Sequence, residues 1–209
     1  MKSSFLRNAT IGLLALAASA TASAAIVTST NPGDFNLTAV AFPDTGFTTS
    51  NIVSTDGSVT LDTTTGTGNP ATTNATYTNW AASPLPGMEY AISGDENFDI
   101  LFAAPQSAFA MNYADDNTDS LFTLTFFAGA MNVGSAQFTS TSPFDQGKFI
   151  GFISDLAFDK VTVREEDGAT NSNEYFQFYT ATAVPEPASL ALLGLGLAGL
   201  GLVRRRSLG

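Results

Sequence analysis

The residues of this chain whose types could carry chemistry are almost all carboxylates. The sequence contains no histidine and no cysteine, which excludes Ser-His-Asp triads, thiolate nucleophiles and histidine or thiolate metal sites. Two acids separated across a cleft are sufficient for glycoside hydrolysis. The candidates for such a pair are Asp95, Glu96, Asp99, Asp155 and Glu174. Most acidic residues stand in turn-like sequence, where solvated carboxylates are the usual outcome, so we predict a protein that is not an enzyme and keep a glycan hydrolase as the alternative.

A second group of oxygen ligands alternates within the segment Asp115-Asp116-Asn117-Thr118-Asp119. Asp115, Asn117 and Asp119 match the first three ligand positions of a calcium loop. Ser120 stands where such a loop needs glycine and Phe126 where it needs glutamate, which excludes an EF-hand. A looser calcium turn between two strands fits the pattern, and a solvated hairpin turn is the alternative. Calcium is the one cofactor that the sequence suggests.

An aromatic residue offers a third kind of site. Trp80 is the only tryptophan of the chain, and Tyr77 and Tyr90 are near it in sequence. A ring stacked on a sugar, with acidic and amide hydrogen-bonding groups around it, would make a carbohydrate-binding module, which could also depend on calcium. The alternative is that Trp80 covers one edge of the core.

The charge balance restricts the partners. Residues 25–183 contain 18 acidic and 3 basic residues, a net charge of −15 against −11 for the whole chain. The basic residues are Lys148, Lys160 and Arg164. So acidic a surface repels nucleic acid and anionic lipid, and it favours cations or an uncharged partner. We therefore predict no nucleic-acid partner.

The elements that must position these residues are strands. Apolar and polar residues alternate in several segments, and threonine, valine and phenylalanine are frequent while long helix-forming runs are absent. Turn clusters separate the segments at the spacing typical of antiparallel sandwiches and jelly rolls. We predict an all-β domain over residues 25–183, with a long loop at 64–79. The predicted strands are residues 98–102, 108–113, 121–127, 148–153, 160–165 and 174–180, with weaker candidates at 25–42 and 51–63.

The amino-terminal residues have the pattern of a secretory signal peptide. Lys2 and Arg7 precede an apolar stretch at residues 11–18, and small residues follow it. We expect signal peptidase to cut after Ala24, with Ala22 and Ala24 as the recognised pair; cuts after Ala22 or Ala25 are alternatives. Residues 1–24 would then form a signal helix that is removed.

The carboxyl-terminal residues have the pattern of a membrane anchor. Residues 188–203 carry no charge and end at Arg204, Arg205 and Arg206. A helix of this length spans about 24 Å, short of a hydrocarbon core of about 30 Å, but the arginines can snorkel and the bilayer can thin. The segment lacks the polar face of a buried soluble helix. We predict a single transmembrane helix in the inner membrane, with the arginines on the cytoplasmic side.

The motif before this helix resembles a known sorting signal. This region resembles the PEP-CTERM sorting signal of Gram-negative bacteria. The resemblance depends on Val184, Pro185, Glu186 and Pro187, on the leucine- and glycine-rich segment that follows them, and on the arginine cluster. The resemblance, assigned to residues 184–209, implies processing by an exosortase-type enzyme and transfer to the envelope or extracellular matrix. It also implies a host that makes exopolysaccharide and biofilm, with exopolysaccharide as a partner. The two prolines disfavour helix and keep the motif extended, as a protease cleft requires.

Residues 98–180 also resemble an exported β-sandwich found with this signal. The residues that carry the resemblance are the alternating Phe98–Phe102 segment, Ala108-Phe109-Ala110 and Phe149-Ile150-Gly151-Phe152-Ile153-Ser154-Asp155. Relatives often carry an Asp-Asn/Asp-Phe element on the last strand, where this chain has Tyr175-Phe176-Gln177-Phe178. The difference puts any site built on that aspartate in doubt, and the resemblance implies no activity.

Overall fold

Two strands are long enough to take part in both layers of the fold. The computed structural model describes residues 25–48, 50–62, 71–73, 89–93, 97–115, 119–144, 146–166 and 173–184. Strands β8 (Phe98–Asp115) and β11 (Lys148–Glu165) have 18 residues each. They pair with each other twice, through Ile153↔Ala108 and its neighbours and again through Lys160↔Leu101 and its neighbours, with register shifts between the two stretches. Each long strand therefore joins two segments that the sequence predicts as separate strands.

The other elements of the described residues are ten strands and one 3-10 helix, and every strand pair is antiparallel. The strands are β1 (Ile26–Ser29), β2 (Phe35–Ala39), β3 (Gly46–Phe47), β4 (Ile52–Val53), β5 (Val59–Asp62), β6 (Ala71–Thr73), β7 (Glu89–Ser93), β9 (Ser120–Ala128), β10 (Met131–Ser140) and β12 (Asn173–Ala183), and the 3-10 helix is Pro32–Asp34.

The pairing divides the strands into two layers. The first layer contains β4, β5, the first part of β8, the last part of β11, β9 and β10. The second layer contains β1, the first part of β11, the last part of β8 and β12. Strand β12 then pairs with β2 over one half and with β7 over the other, and β7 leads to β6 and β3.

Aromatic side chains fill the space between the layers. Phe98 of the first layer contacts Phe176 and Phe178 of the second, with ring centroids 5.5 Å and 6.1 Å apart. Phe126 contacts Phe152 in the same way at 5.6 Å. Such ring pairs contribute about 0.5–1.5 kcal/mol each beyond the apolar area that they bury. Since no cysteine is present, this core takes the place of disulfides.

The turn between β4 and β5 depends on local hydrogen bonds. Gly57 has a φ of 73°, a conformation that glycine adopts without strain. The Asp56 carboxylate accepts hydrogen bonds from the Ser58 amide and from the hydroxyls of Ser58 and Ser54. These donors, the Ser58 amide first, lower the pKa of Asp56 from 3.8 to about 2. The Asp56 carboxylate therefore stays ionised well below neutral pH.

The prediction of an all-β antiparallel domain is confirmed, and the two layers are consistent with a β-sandwich. Residues 71–73 form β6, so this part of the segment predicted as a loop at 64–79 lies in a strand. The predicted helices at residues 1–24 and 188–203 lie outside the described residues. Within the described ranges, no helix is long and apolar enough to cross a membrane.

Candidate functional site

Asp99, one of the candidate catalytic acids, lies on the outer face of the first layer. Arg164 Nη2 lies 2.7 Å from Asp99 Oδ1, and Lys160 Nζ lies 3.9 Å from Asp99 Oδ2. Arg164 Nη1 also donates to the backbone oxygens of Phe98 and Val163. Asp99 is therefore an ion-paired carboxylate that fixes β8 to β11, and its position is that of a structural residue.

The other candidate acids lie in different places. Asp155 is exposed and accepts a hydrogen bond from the Ala25 amide at 3.1 Å. Glu174 is buried on the core side of β12 and accepts from the Ser120 hydroxyl at 3.4 Å. Asp95 and Glu96 lie outside the described residues. Asp99 thus lies on an outer face, Asp155 at a strand corner and Glu174 in the core. No two of these three acids face each other across one cleft.

The calcium-turn residues are only partly described. Asp115 ends β8 and is buried, whereas Asp119 is exposed and accepts a hydrogen bond from the Ser142 amide at 3.3 Å. Asn117 and Trp80 lie outside the described residues, so the calcium turn and the stacking tryptophan stay predictions.

One end of the fold contains a group of buried polar residues that includes Asp115. The sequence analysis does not predict this group. Beyond the aromatic layer of Tyr113, Phe122, Phe138 and Phe176, the next inward residues on β8, β9, β10 and β12 are polar, and on β11 the inward residue Glu165 follows Val163. We call these positions the acidic end: Asp115, Ser120, Ser140, Glu165 and Glu174. Asp115 pairs in register with Glu174, and Ser140 pairs in register with Ser120. A signal for them exists in the sequence, because each residue continues the inward alternation of its strand.

The outer face of the second layer carries an uncharged cluster. Phe149, Asn112 and Gln177 are register partners across three neighbouring strands. Asn112 Nδ2 donates to Gln177 Oε1 at 3.3 Å and to Tyr179 Oη at 2.8 Å. Burial raises the pKa of Tyr179, and the Asn112 hydrogen bond opposes that effect, so the phenol is neutral at physiological pH. We call these four half-buried residues the outer-face cluster.

The three basic residues within residues 25–183 lie away from this cluster or already have partners. Lys160 and Arg164 lie with Asp99 on the other layer, and the Lys160 ammonium also lies 4.5 Å from the ring centroid of Phe127. Lys148 donates to the Thr141 carbonyl oxygen. An anionic ligand would therefore compete with existing partners at each of them.

The last strand runs directly into the sorting segment. β12 ends at Ala183, and the Val184 amide donates to the Asp34 carbonyl oxygen at 2.8 Å. Residues 183–206 match the family model described as the PEP-CTERM protein-sorting motif. The chain carries a PEP-CTERM sorting signal. The motif predicted at Val184, Pro185, Glu186 and Pro187 thus begins where the folded layers end.

No curated protein matches the chain. Among solved structures, it is similar to the enzymatically active domain of tailspike protein 4 of bacteriophage CBA120, at 11% identity and a TM-score of 0.35. That match covers 73% of this chain but only 20% of the tailspike chain. A variant of the family 29 carbohydrate-binding module CBM29-2 is similar at 8% identity and a TM-score of 0.31, over 71% of this chain and 92% of the module.

Proposed function

We propose that this protein is exported, sorted through its PEP-CTERM signal and processed by an exosortase-type enzyme, and that it then serves as a non-enzymatic component of the envelope or extracellular matrix. The match at residues 183–206 carries this proposal. The membrane helix at 188–203 and the cytoplasmic Arg204, Arg205 and Arg206 would hold the chain in the inner membrane until processing.

The junction at Val184 supports processing close to the fold. Because β12 is complete at Ala183, a cut within or after the motif would leave all of the strand pairing in place. The domain could therefore leave the membrane as a folded unit.

Replacing Glu186 by alanine is expected to block processing, so that the chain stays in the inner-membrane fraction at its unprocessed mass. Membrane fractionation and intact-mass measurement of the native protein test this. Glu166→Gln is the matched control, because it removes an exposed carboxylate elsewhere in the chain and should leave processing unchanged. Normal processing of the Glu186→Ala chain would contradict the role assigned to the motif.

We further propose that the domain associates with uncharged polysaccharide, the exopolysaccharide of the matrix, through the outer-face cluster. Two amides and a phenol beside a phenylalanine ring offer the hydrogen bonds and apolar contact that a sugar requires. The net charge of −15 on residues 25–183 and the engaged basic residues favour an uncharged ligand over an anionic one.

Asn112→Ala is expected to weaken retention by glucomannan or dextran in affinity electrophoresis by about tenfold, the loss of roughly 1.4 kcal/mol of hydrogen bonding. Asn36→Ala is the control, because Asn36 is an exposed asparagine on β2 of the same layer. Equal retention of both variants, or stronger retention of the wild type by anionic alginate, would contradict this assignment.

A further inference from the structure

Asp155 accepts a hydrogen bond from the residue that directly precedes β1. The backbone nitrogen of Ala25 lies 3.1 Å from Asp155 Oδ1. Ala25 is also the residue that follows the cut expected from the signal-peptide pattern. A pattern of small residues in the sequence and a hydrogen bond in the fold therefore point, independently, to the same nitrogen atom.

The local backbone fixes the position of Asp155. This residue lies between Ser154 and Leu156, at the corner where β11 passes from the second layer to the first. The buried Ser154 hydroxyl donates to the Leu156 carbonyl oxygen at 2.6 Å and accepts from the Leu156 amide at 3.2 Å. Ser154 pairs in register with Ile26, so Ala25 comes opposite Asp155 when the pairing is continued by one residue. The corner therefore holds a carboxylate ready for a donor at position 25.

No basic side chain pairs with Asp155 in the part of the chain that the structure describes. The ion pairs found there join Lys160 and Arg164 to Asp99, and Lys148 donates to a backbone oxygen. A backbone amide supplies one hydrogen-bond donor and no net charge. As long as residues 24 and 25 are joined, Ala25 thus gives Asp155 a hydrogen bond but no opposite charge.

Cleavage by signal peptidase would change the chemistry of this nitrogen. Hydrolysis of the Ala24–Ala25 peptide bond consumes one water and leaves a carboxylate on Ala24 and an α-ammonium on Ala25. The usual pKa of an α-amino group is about 7.7–8.0, so the group is mostly protonated at neutral pH. The nitrogen then has a positive charge, and attraction between opposite charges adds to the hydrogen bond with the carboxylate.

We propose that Asp155 binds the α-ammonium that signal peptidase creates at Ala25, and that this ion pair holds β1 on β11 in the mature protein. The inference rests on the export proposed above, and it assigns the cut to the bond after Ala24. A cut after Ala22 would leave two residues, about 7 Å of extended chain, between the ammonium and position 25. A cut after Ala25 would remove the donor nitrogen.

The effect of the ion pair is expected to be local. Strand β1 has four residues, its partner among the described strands is β11, and its Val27 side chain is 56% exposed. A short strand at a chain end opens at low cost in free energy, independently of global unfolding. An exposed ion pair contributes little to the stability of a whole domain. Hydrogen exchange of the β1 amides is therefore a more sensitive measure than Tm.

Intact-mass measurement and amino-terminal sequencing of the exported protein test the position of the cut. The expected first residue is Ala25. The mass also reports processing at the carboxyl-terminal end, so the two cleavages are read separately. A protein that begins at Ser23 or Ile26 would overturn this inference and leave the proposed sorting in place. A chain that keeps residues 1–24 would contradict the proposed export as well.

Asp155→Asn tests the ion pair in the exported protein, because it keeps an acceptor oxygen and removes the charge. The β1 amides of this variant should exchange about fivefold faster than those of the wild type. Its α-amino group should react about threefold faster with an acylating reagent, because the ammonium form is no longer stabilised. Glu166→Gln removes an exposed carboxylate just after β11 and should alter neither rate.

Acetylation of the α-amino group separates the ion pair from a purely structural role of Asp155. In the wild type it removes the positive charge, so it should speed exchange of the β1 amides as much as Asp155→Asn does. In Asp155→Asn it should add nothing, because the opposite charge is already absent. Additive effects of acetylation and substitution, or equal exchange in Asp155→Asn and Glu166→Gln, would overturn the ion pair.

Discussion

Phe98→Ala is expected to lower the free energy of unfolding by about 4 kcal/mol, a large share of the roughly 5–15 kcal/mol that stabilises a typical domain. Phe98 is fully buried. Its ring centroid lies 5.1 Å from that of Tyr90, and the ring also contacts Phe176 and Phe178 of the opposite layer. Truncation would leave a cavity between the layers that neighbouring rings cannot fill. Urea unfolding followed by circular dichroism measures the loss.

Phe127→Ala is the control for this prediction. Phe127 is half-buried on the outer side of β9, beneath the Lys160 ammonium. Its removal should cost about 1 kcal/mol, since it gives up one cation–π contact and little burial. Similar losses for the two variants would mean that the aromatic contacts between the layers are not the main source of stability.

Gly151→Ala is expected to destabilise the fold by about 3 kcal/mol, the upper end of the usual cost of overpacking. A Cβ at position 151 would overlap the ring of Phe35: Cζ and Cε2 are the nearest ring atoms, and even Cε1 would lie 2.9 Å away. Ala108 and Ala110 pack against the same ring, so small residues on two strands leave the space that Phe35 occupies. Any shift of the ring away from position 151 would change its packing in this cluster.

A double-mutant cycle with Phe35→Ala tests whether contact with the Phe35 ring causes the destabilisation by Gly151→Ala. Gly151→Ala should cost under about 1 kcal/mol in that background, because the opposing ring is gone. Gly33→Ala serves as a second reference, since a Cβ there meets only the Asn31 side chain, at 3.3 Å. A cost of Gly151→Ala that is the same with and without Phe35 would place its effect in the backbone.

The alternation of the sequence predicts most strands but not the connection between them. In β8, the inward residues Phe98, Ile100 and Phe102 have even numbers, whereas Phe109, Met111 and Tyr113 have odd ones. The phase changes because a strand that continues from one layer into the opposite layer must turn its other face inward. The exposed segment between them contains Pro105, which favours interpretation as a turn.

Strand β10 is absent from the predicted strands for a different reason. Its residues include Asn132 and Gly134, which are uncommon in strands, and a register shift lies between these two residues. Val133 and Gly134 are both buried, so the period of two is lost at this point. A bulge of this kind follows from pairing with β9, which a pattern within one segment cannot reveal.

The candidate sites also divide into one that a contiguous segment predicts and others that depend on strand pairing. The sorting motif is predictable because it depends on residue types in a contiguous segment. The acidic end and the outer-face cluster combine residues from several strands, and their membership depends on register. The sequence analysis predicts Asp115 as an oxygen ligand. Glu165 continues the inward alternation of its strand but is absent from the predicted site residues, because acids at the ends of strands are usually solvated.

The place of β12 in the fold sets the order in which the chain can become native. This strand is synthesised last among the twelve, yet it lies between β8 on one side and β2 and β7 on the other. Until residue 183 has been synthesised, β2, β7 and β8 lack β12, the neighbour that forms most of their pairing in the second layer. We therefore expect the domain to complete its fold only after this last strand has been synthesised and is free to pair.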